Sequence, residues 1–441
     1  MFAIKKERWY NVKVRNGGIK MQRYYMCIDQ KTFFATVECV ERGLDPFSTN
    51  LVVADPERGP GAICLAVSPK MKMLGVKNRC RIFEIPKNID YIVAVPRMKK
   101  YIEYAAKVYG VFLKYFSKDD IYVYSIDESF IDCTCYLKMY NKNPVELAKM
   151  VIKDIHKTYG LTATAGIGTN MYLAKIALDI TAKHSVNNIG YLDEEKYKKE
   201  LWHHKPLTDF WQIGSGIMKR LNKMYIYDMA GIAQADPQRL YKEFGVNAEF
   251  LIDHSVGKES CTIADIKAYS TKSKSFSNSQ ILTRDYDFEE AKVIVKEMVE
   301  LGSLRLIEEK LMTNTVQLYI GYSKDVIKAT GGSYRMSNYT NVYSELVKAF
   351  LTIYDRTTDK DEKIRRVGVS FANLVEAKNE QLNLFVDQAK IDRERKLETA
   401  INGIKKAMGK NSVVRGMNYL ECATTLERNK MIGGHNSGEF R

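Results

Sequence analysis

The chain has 441 residues, room for three or four folded units at roughly 150 residues each. Its 68 Lys and Arg against 53 Asp and Glu leave a net charge of +15, and 45% hydrophobic with 11% aromatic residues exclude wholesale disorder. No apolar run approaches the ~20 residues of a membrane span, and Met1 opens a basic, broken segment unlike a signal peptide. Eight scattered cysteines without a C-x-x-C pair argue against zinc ribbons, thioredoxin-like chemistry and a disulfide scaffold. The expectation is a cytoplasmic protein, off the membrane, whose positive balance points first to nucleic acid.

Residues 1–23 form a basic arm with Lys5, Lys6, Arg8, Lys13, Arg15, Lys20 and Arg23 against Glu7 alone. Tyr24-Tyr25-Met26-Cys27-Ile28 then reads as a strand ending at Asp29, and Phe33 to Arg42 as a helix closed by Asp45-Pro46. Leu51-Val52-Val53 and Ile63 to Val67 are expected as short buried strands, and Pro69 to Leu74 as a short helix closed by Gly75. Helical spacing of Tyr101, Ala105, Val108 and Phe112 marks 98–116. Ile121 to Ile126 and Phe130 to Cys133 read as strands with Asp127-Glu128 between them. A helix at about 144–159, the strand Thr162 to Gly168 and a helix from Asn170 complete an α+β unit over 24–190.

Residues 191–258 look small and α-rich, interrupted by Gly214, Gly216, Gly231 and Gly245, and 259–272 reads as a basic linker. From 273 to about 375 the order is strand, helix, strand, strand, helix, strand, with Thr315 to Tyr322 and Arg366 to Phe371 as core strands. The tail from 376 is polar. One helix in it aligns Leu397, Ile401, Ile404 and Met408 on a single stripe, a surface for a partner or for packing.

Asp29 at one strand end and Asp127-Glu128 beside another are either separate turn residues or one site. Carboxylates gathered at a sheet rim repel unless cations sit among them, and Mg²⁺ takes such oxygens together with substrate phosphates. Two such ions about 4 Å apart activate an attacking hydroxyl and neutralise a leaving phosphate oxygen.

Five blocks in order carry a resemblance. Tyr25-Met26-Cys27-Ile28-Asp29-Gln30-Lys31-Thr32-Phe33-Phe34-Ala35-Thr36-Val37-Glu38 resembles the opening motif of the Y-family, lesion-bypass DNA polymerases. Tyr124-Ser125-Ile126-Asp127-Glu128-Ser129 is similar to their second acidic motif. Ala165-Gly166-Ile167-Gly168-Thr169-Asn170, with Leu173-Ala174-Lys175 and Ala182-Lys183, is similar to their third. Trp211-Gln212-Ile213-Gly214-Ser215-Gly216 with Lys219, Arg220 and Leu221 looks like their helix-hairpin-helix, and Lys274 to Gln280 with Arg284-Asp285-Tyr286 like the start of their little finger. The nearest kin by this reading are UmuC-like UV-damage repair proteins of Gram-positive bacteria and their phages or plasmids.

The resemblance implies an α+β multidomain right-hand polymerase. Its parts would be a palm (24–40 and 99–190), fingers (41–98), a helical thumb (191–258), a linker (259–272), an α/β little finger (273–375) and a tail (376–441). It implies low-fidelity, template-directed addition of dNTPs to a primer 3′ end on damaged DNA. Asp29 and Asp127 would bridge two Mg²⁺ ions, Glu128 would hold the ion at the primer end, and the Gln30 carbonyl would complete the other. Phe34 would be the steric gate against ribose, with a plain core phenylalanine as the competing reading. Lys72 and Lys183 would hold the triphosphate with the N–H groups of Phe33 and Phe34. Lys72 is the less secure, because Pro69 stands where several relatives place a phosphate-binding tyrosine. Gly214, Gly216, Lys219, Lys272 and Lys274 would grip primer-template DNA. Gln381-Leu382-Asn383-Leu384-Phe385 matches the bacterial clamp-binding consensus, with Gln381, Leu382, Leu384 and Phe385 contacting the sliding clamp, the polymerase III β subunit. The rivals are a non-catalytic DNA- and clamp-binding accessory protein of the same fold and, more weakly, a two-metal nuclease.

Overall fold

Strand β1 (Tyr25–Gln30) feeds two cores by simple alternation: Met26 and Ile28 enter one, Tyr25 and Cys27 the other. In this computed structural model, which describes residues 22–185, 187–271, 274–323, 327–377 and 387–438, the chain divides into two units between Tyr269 and Ser270. Most of the basic arm, Lys272 and the clamp-type pentapeptide 381–385 lie outside the described residues. No helix among those described is long and apolar enough to cross a membrane.

In the first unit, β1 is followed by α1 (Phe33–Glu41), β2 (Leu51–Val53), β3 (Ala66–Val67), α2 (Pro69–Met73), β4 (Ile92–Ala94) and α3 (Met98–Tyr115). Then come β5 (Ile121–Val123), β6 (Glu128–Asp132), α4 (Thr134–Tyr140), α5 (Pro144–Tyr159), β7 (Ala163–Gly168), α6 (Met171–Ile176) and β8 (Ile189–Leu192). The central sheet runs β5-β6-β1-β7-β8, antiparallel except for β7 against β8. Helices α1, α3 and α5 bury Val37, Tyr101 and Val151 on the Met26/Ile28 side. Met171, Ala174 and Leu178 cover the Tyr25/Cys27 side.

That second covering is possible only because β7 is glycine-rich. A Cβ on Gly166 would stand 2.1 Å from the Ala174 carbonyl oxygen, and one on Gly168 2.3 Å from the Ala174 nitrogen. The sheet therefore admits α6 at backbone contact.

Local expectation and structure differ in four places. The run Ile63 to Val67 does not form one strand: Ala66–Val67 pair with β2, whereas Ile63 bridges Arg81, so the run is shared between two partners. Glu128 lies inside β6 rather than before it, paired with Asp29. The central sheet extends through Leu192 by way of β8. The segment read as a linker contains a helix at Ile263–Ala268, capped by a Thr262/Asp265 box and burying Ile263 against Tyr25 and Phe130. Before it, α7 (Glu194–Leu201), α8 (Ser215–Lys223), α9 (Met229–Gln234), α10 (Pro237–Phe244) and α11 (Ala248–Ser255) close around Tyr197, Leu221, Met229 and Leu240. The linker helix is α12.

The second unit follows the expected order: β9 (Phe276–Tyr286), α13 (Phe288–Glu308), β10 (Leu311–Tyr322), β11 (Thr330–Thr340), α14 (Tyr343–Thr357) and β12 (Ile364–Ala372). Its antiparallel sheet runs β11-β10-β12-β9, and α13 and α14 pack Ile294, Met298 and Phe350 against Val367 and Phe371. The polar tail is not loose. After the short β13 (Val375–Glu376), α15 (Gln388–Met408) docks on α13 through polar groups: Ser303 Oγ donates to Glu398 at 3.0 Å and Asn402 Nδ2 to the Leu304 carbonyl at 2.9 Å. The apolar stripe faces outward, with Leu397 58% and Met408 76% exposed.

Candidate active site

The register of two strands builds the site. Asp29, near the end of β1, is paired with Glu128, the first residue of β6, and the Gln30 N–H donates to the Asp127 carbonyl at 2.9 Å. The tight turn that precedes β6 is closed by Tyr124 and Ser125 N–H groups, both 3.0 Å from the Glu128 carbonyl oxygen. All three acids thus stand at one rim of adjacent strands.

Their electrostatics are strained. Burial pushes the Asp29 carboxyl up to about 7, the charges of Asp127 and then Glu128 push the same way, and Lys175 opposes them. Glu128 is buried; its Oε1 lies 2.8 Å from Lys175 Nζ and accepts from Cys27 Sγ at 3.0 Å. Lys175 also pairs with Asp179 at 3.1 Å. Burial pulls its ammonium down, but the surrounding Cys27, Glu128 and Asp179 outweigh that and raise it. Asp127 Oδ1 accepts from Ser125 Oγ at 2.6 Å.

Among the described residues no three Asp, Glu, His or Cys side chains are already drawn into a metal cage. Glu128 is turned to Lys175 and Asp127 to Ser125. The donor set itself, hard oxygens crowded at a rim with one of them driven towards protonation by burial and then by its neighbours, fits a hard divalent cation that also takes waters and phosphate oxygens.

Helix α1 begins beside this rim. Thr32, its N-cap, holds a left-handed φ of 46° and supplies no side-chain cap, so the first-turn N–H groups of Phe33 and Phe34 have no capping side chain. Phe33 is buried. Phe34 is half-buried and stacks on Tyr101 with centroids 4.4 Å apart and planes at 16°. Tyr101 OH donates to Glu38 Oε1 at 2.8 Å, and Arg97 grips Glu38 with two bonds of 3.0 and 2.8 Å. Burial pushes Glu38 up, but hydrogen bonds from Arg97, Arg42 and Tyr101 outweigh it and hold the carboxyl below its usual range.

Lys31 and Lys72 lie within reach of the Asp29 charge, and Lys183 within reach of Lys72. Lys72 on α2 is lowered by burial, opposed by Asp29 and reinforced by Lys183 and Lys31. Lys183 is exposed on the turn Ala182–His184 after α6. Lys31 donates to Asn188 Oδ1; burial lowers it and Asp29 opposes. Sequence reasoning passed over Lys31, although a cation two residues after Asp29 was visible. It likewise quoted Lys175 and Glu38 inside motifs without a role, and missed Tyr101 as the ring behind Phe34.

Two further details surround the predicted residues. The Gln30 side chain is 3% exposed with no partner for either amide atom, and nothing in the structure accounts for it. Gly214 caps α8 and Gly216 lies in its first turn; a Cβ on either would meet nothing within 4 Å. The left-handed residue of that hairpin is Gln212, with φ 70°. Lys219 and Lys274 are exposed.

A profile of the impB/mucB/samB family matches residues 28–179, and one of that family's C-terminal domain matches 273–384. The chain is 32% identical over 420 residues to the putative UV-damage repair protein UvrX of Bacillus subtilis (strain 168), covering 93% of this chain and 97% of UvrX. It is 31% identical over 429 residues to DNA polymerase IV 2 of the same organism, covering 94% and 99% of the two chains. With DNA polymerase IV 2 of Halalkalibacterium halodurans it shares 28% over 422 residues, 94% of this chain and 100% of that one. A solved Y-family DNA polymerase chimera is similar with a TM-score of 0.62 at 21% identity, over 80% of this chain and 99% of the chimera, a likeness of fold alone.

Proposed function

The chain belongs to the impB/mucB/samB family of UmuC-like Y-family DNA polymerases, and we propose that it copies damaged templates at low fidelity by two-metal phosphoryl transfer centred on Asp29, Asp127 and Glu128. It is a DNA-directed DNA polymerase of repair, acting on DNA and dNTPs with divalent metal. The observation that carries the assignment of residues is the register that sets Asp29 opposite Glu128 with Asp127 beside them.

In this reading Asp29 and Asp127 would hold the metal ions, with Glu128 serving the primer 3′-hydroxyl side and the Gln30 carbonyl the triphosphate side. Two Mg²⁺ ions there supply charge neutralisation for the attacking 3′-oxygen and the departing pyrophosphate. Lys175 orients Glu128 by a 2.8 Å contact. The N–H groups of Phe33 and Phe34, with Lys72 and Lys183, bind the triphosphate. Phe34, braced by Tyr101, leaves no room for a ribose 2′-hydroxyl. Gly214, Gly216, Lys219, Lys272 and Lys274 hold the duplex backbone in a salt-dependent way. Gln381, Leu382, Leu384 and Phe385 dock on the sliding clamp, raising the effective concentration at the primer end.

Primer extension with dNTPs and Mg²⁺, on intact templates and across an abasic site, tests this. Extension abolished by Asp127→Asn supports it. No reaction leaves an accessory protein of the same fold, and a shortened primer a nuclease.

A further inference from the structure

Residues 62–64 and 80–82 form a short antiparallel ladder apart from the named strands. Cys64 N–H donates to the Cys80 carbonyl at 2.8 Å, Ile82 N–H to the Ala62 carbonyl at 3.0 Å, and Ile63 bridges Arg81 between them. That register sets Cys64 directly opposite Cys80. The pair exchanges one backbone bond, since the Cys64 carbonyl accepts from Arg79 N–H at 3.1 Å where Arg79 bulges with φ 61°; opposed residues of antiparallel strands have Cα atoms about 4.5–5.5 Å apart, inside the ~4.4–6.8 Å that a disulfide spans.

Both side chains enter one apolar cluster with Val52, Val67, Met71 and Ile85, and both are free thiols. Cys64 is fully buried. Cys80 is half-buried and is flanked in sequence by Lys77, Arg79 and Arg81. Burial first, and then the charge and hydrogen bond of the neighbouring Cys80, push the Cys64 thiol up to about 12. The segment between them, 65–79, carries α2 and Lys72.

We infer that Cys64 and Cys80 are an oxidative modification site, an opposed thiol pair that hydrogen peroxide converts to an intrachain disulfide closing the loop that carries Lys72. Cys80, the thiol that solvent reaches, attacks one peroxide oxygen; the O–O bond breaks, and Cys80 sulfenic acid and one water result. The Cys64 sulfur then attacks Cys80 Sγ. The S–S bond forms as the S–O bond breaks, and the departing hydroxide leaves with the Cys64 proton as a second water. Two thiols lose two electrons and one peroxide becomes two waters. The bond restrains 65–79 in the unfolded chain and so stabilises the folded one.

The test uses the full chain, treated with hydrogen peroxide, alkylated, digested without reductant and mapped by mass spectrometry. A peptide linking Cys64 to Cys80, lighter by two hydrogens and released by dithiothreitol, is expected. Exposed Cys135 reports oxidant access in the same sample. Oxidised protein should melt above reduced protein, and Cys80→Ser, which removes only a half-exposed thiol, should lose that shift. If Cys135 is oxidised while Cys64 and Cys80 are both recovered alkylated, or while Cys80 carries sulfinic acid beside an alkylated Cys64, the pair is not such a site.

Discussion

Each unit of the molecule gathers a cluster of carboxylates, wholly or half buried, and the two are treated in opposite ways. In the second unit Glu297, 1% exposed, is saturated: one oxygen accepts from Asn418 Nδ2 at 2.9 Å and Thr425 N at 3.1 Å, the other from Thr424 N at 2.8 Å and Thr424 Oγ1 at 3.1 Å. Glu398 accepts from Ser303 and Arg415, and Glu300 pairs with Arg415 at 3.3 Å. These acids fasten the tail to α13. In the first unit, no donor among the described residues hydrogen-bonds to the Asp29 carboxylate, and Lys175, the cation that opposes its shift, is engaged by Glu128 and Asp179. A carboxylate with every lone pair matched is structural. Carboxylates buried beside one another and short of donors hold a charge deficit that a bound cation relieves. Glu38 stands between these cases: it lies in the first unit, is satisfied like Glu297, and acts on the site only by bracing Phe34 through Tyr101.

The contrast can be broken most directly at Asp127. Asp127→Asn should lower primer extension by on the order of 10³-fold, while leaving the melting temperature equal or higher because a repulsive charge is gone. Extension within tenfold of the parent would end the assignment. Glu297→Ala should do the reverse: strand four donors, cost about 3 kcal/mol in urea unfolding of the second unit, and leave extension per folded molecule unchanged. A loss within experimental error would mean that the tail is held by something else.

Phe34→Ala should raise ribonucleotide incorporation by about tenfold or more, and Tyr101→Ala by less, measured as the ratio of kcat/KM for ribo- and deoxynucleotide. An unchanged sugar preference in Phe34→Ala returns that ring to the core.

The smallest effects lie in pH. Asp29 is raised to about 7 from the ordinary 3.8, so the unfolded chain gives up this proton first and the folded state loses stability as pH rises from about 4 to 7. Cations need the ionised form, so at limiting Mg²⁺ extension should climb through pH 7, with the midpoint moving lower as Mg²⁺ is raised. A flat profile from pH 6 to 8 would contradict the strain at Asp29. Glu398, raised to about 7 from 4.5 by burial, gives its contribution to the second unit below pH 4.5 and loses it as pH rises to 7. Unfolding of Glu398→Gln should be flatter across that window.

Much of this protein is readable along the chain because alternation and helical spacing report which face of a segment is buried. Tyr25 to Ile28, the helix at 98–116 and the six elements of 273–375 all declared themselves in that way, and the acidic motifs marked the rim before any sheet existed. Spacing does not name a segment's partner. Ile63 to Val67 has the composition of one strand, yet its two halves find different neighbours. The stripe Leu397, Ile401, Ile404 and Met408 suggests a buried face, but the donors clustered about Glu398 and Glu394 drew the adjacent polar face inward.

By itself, then, the sequence determined the order of elements and the family motifs from which the acids and cations of the site are proposed. Only the folded chain decided that Asp29 lies across from Glu128, that Lys31 joins Lys72 and Lys183, and that Glu297 is satisfied while Asp29 is not. The reason is that propensity and periodicity act over a few neighbouring residues, whereas register and hydrogen-bond satisfaction depend on groups about a hundred residues apart, as Glu128 is from Cys27 and Thr424 from Glu297.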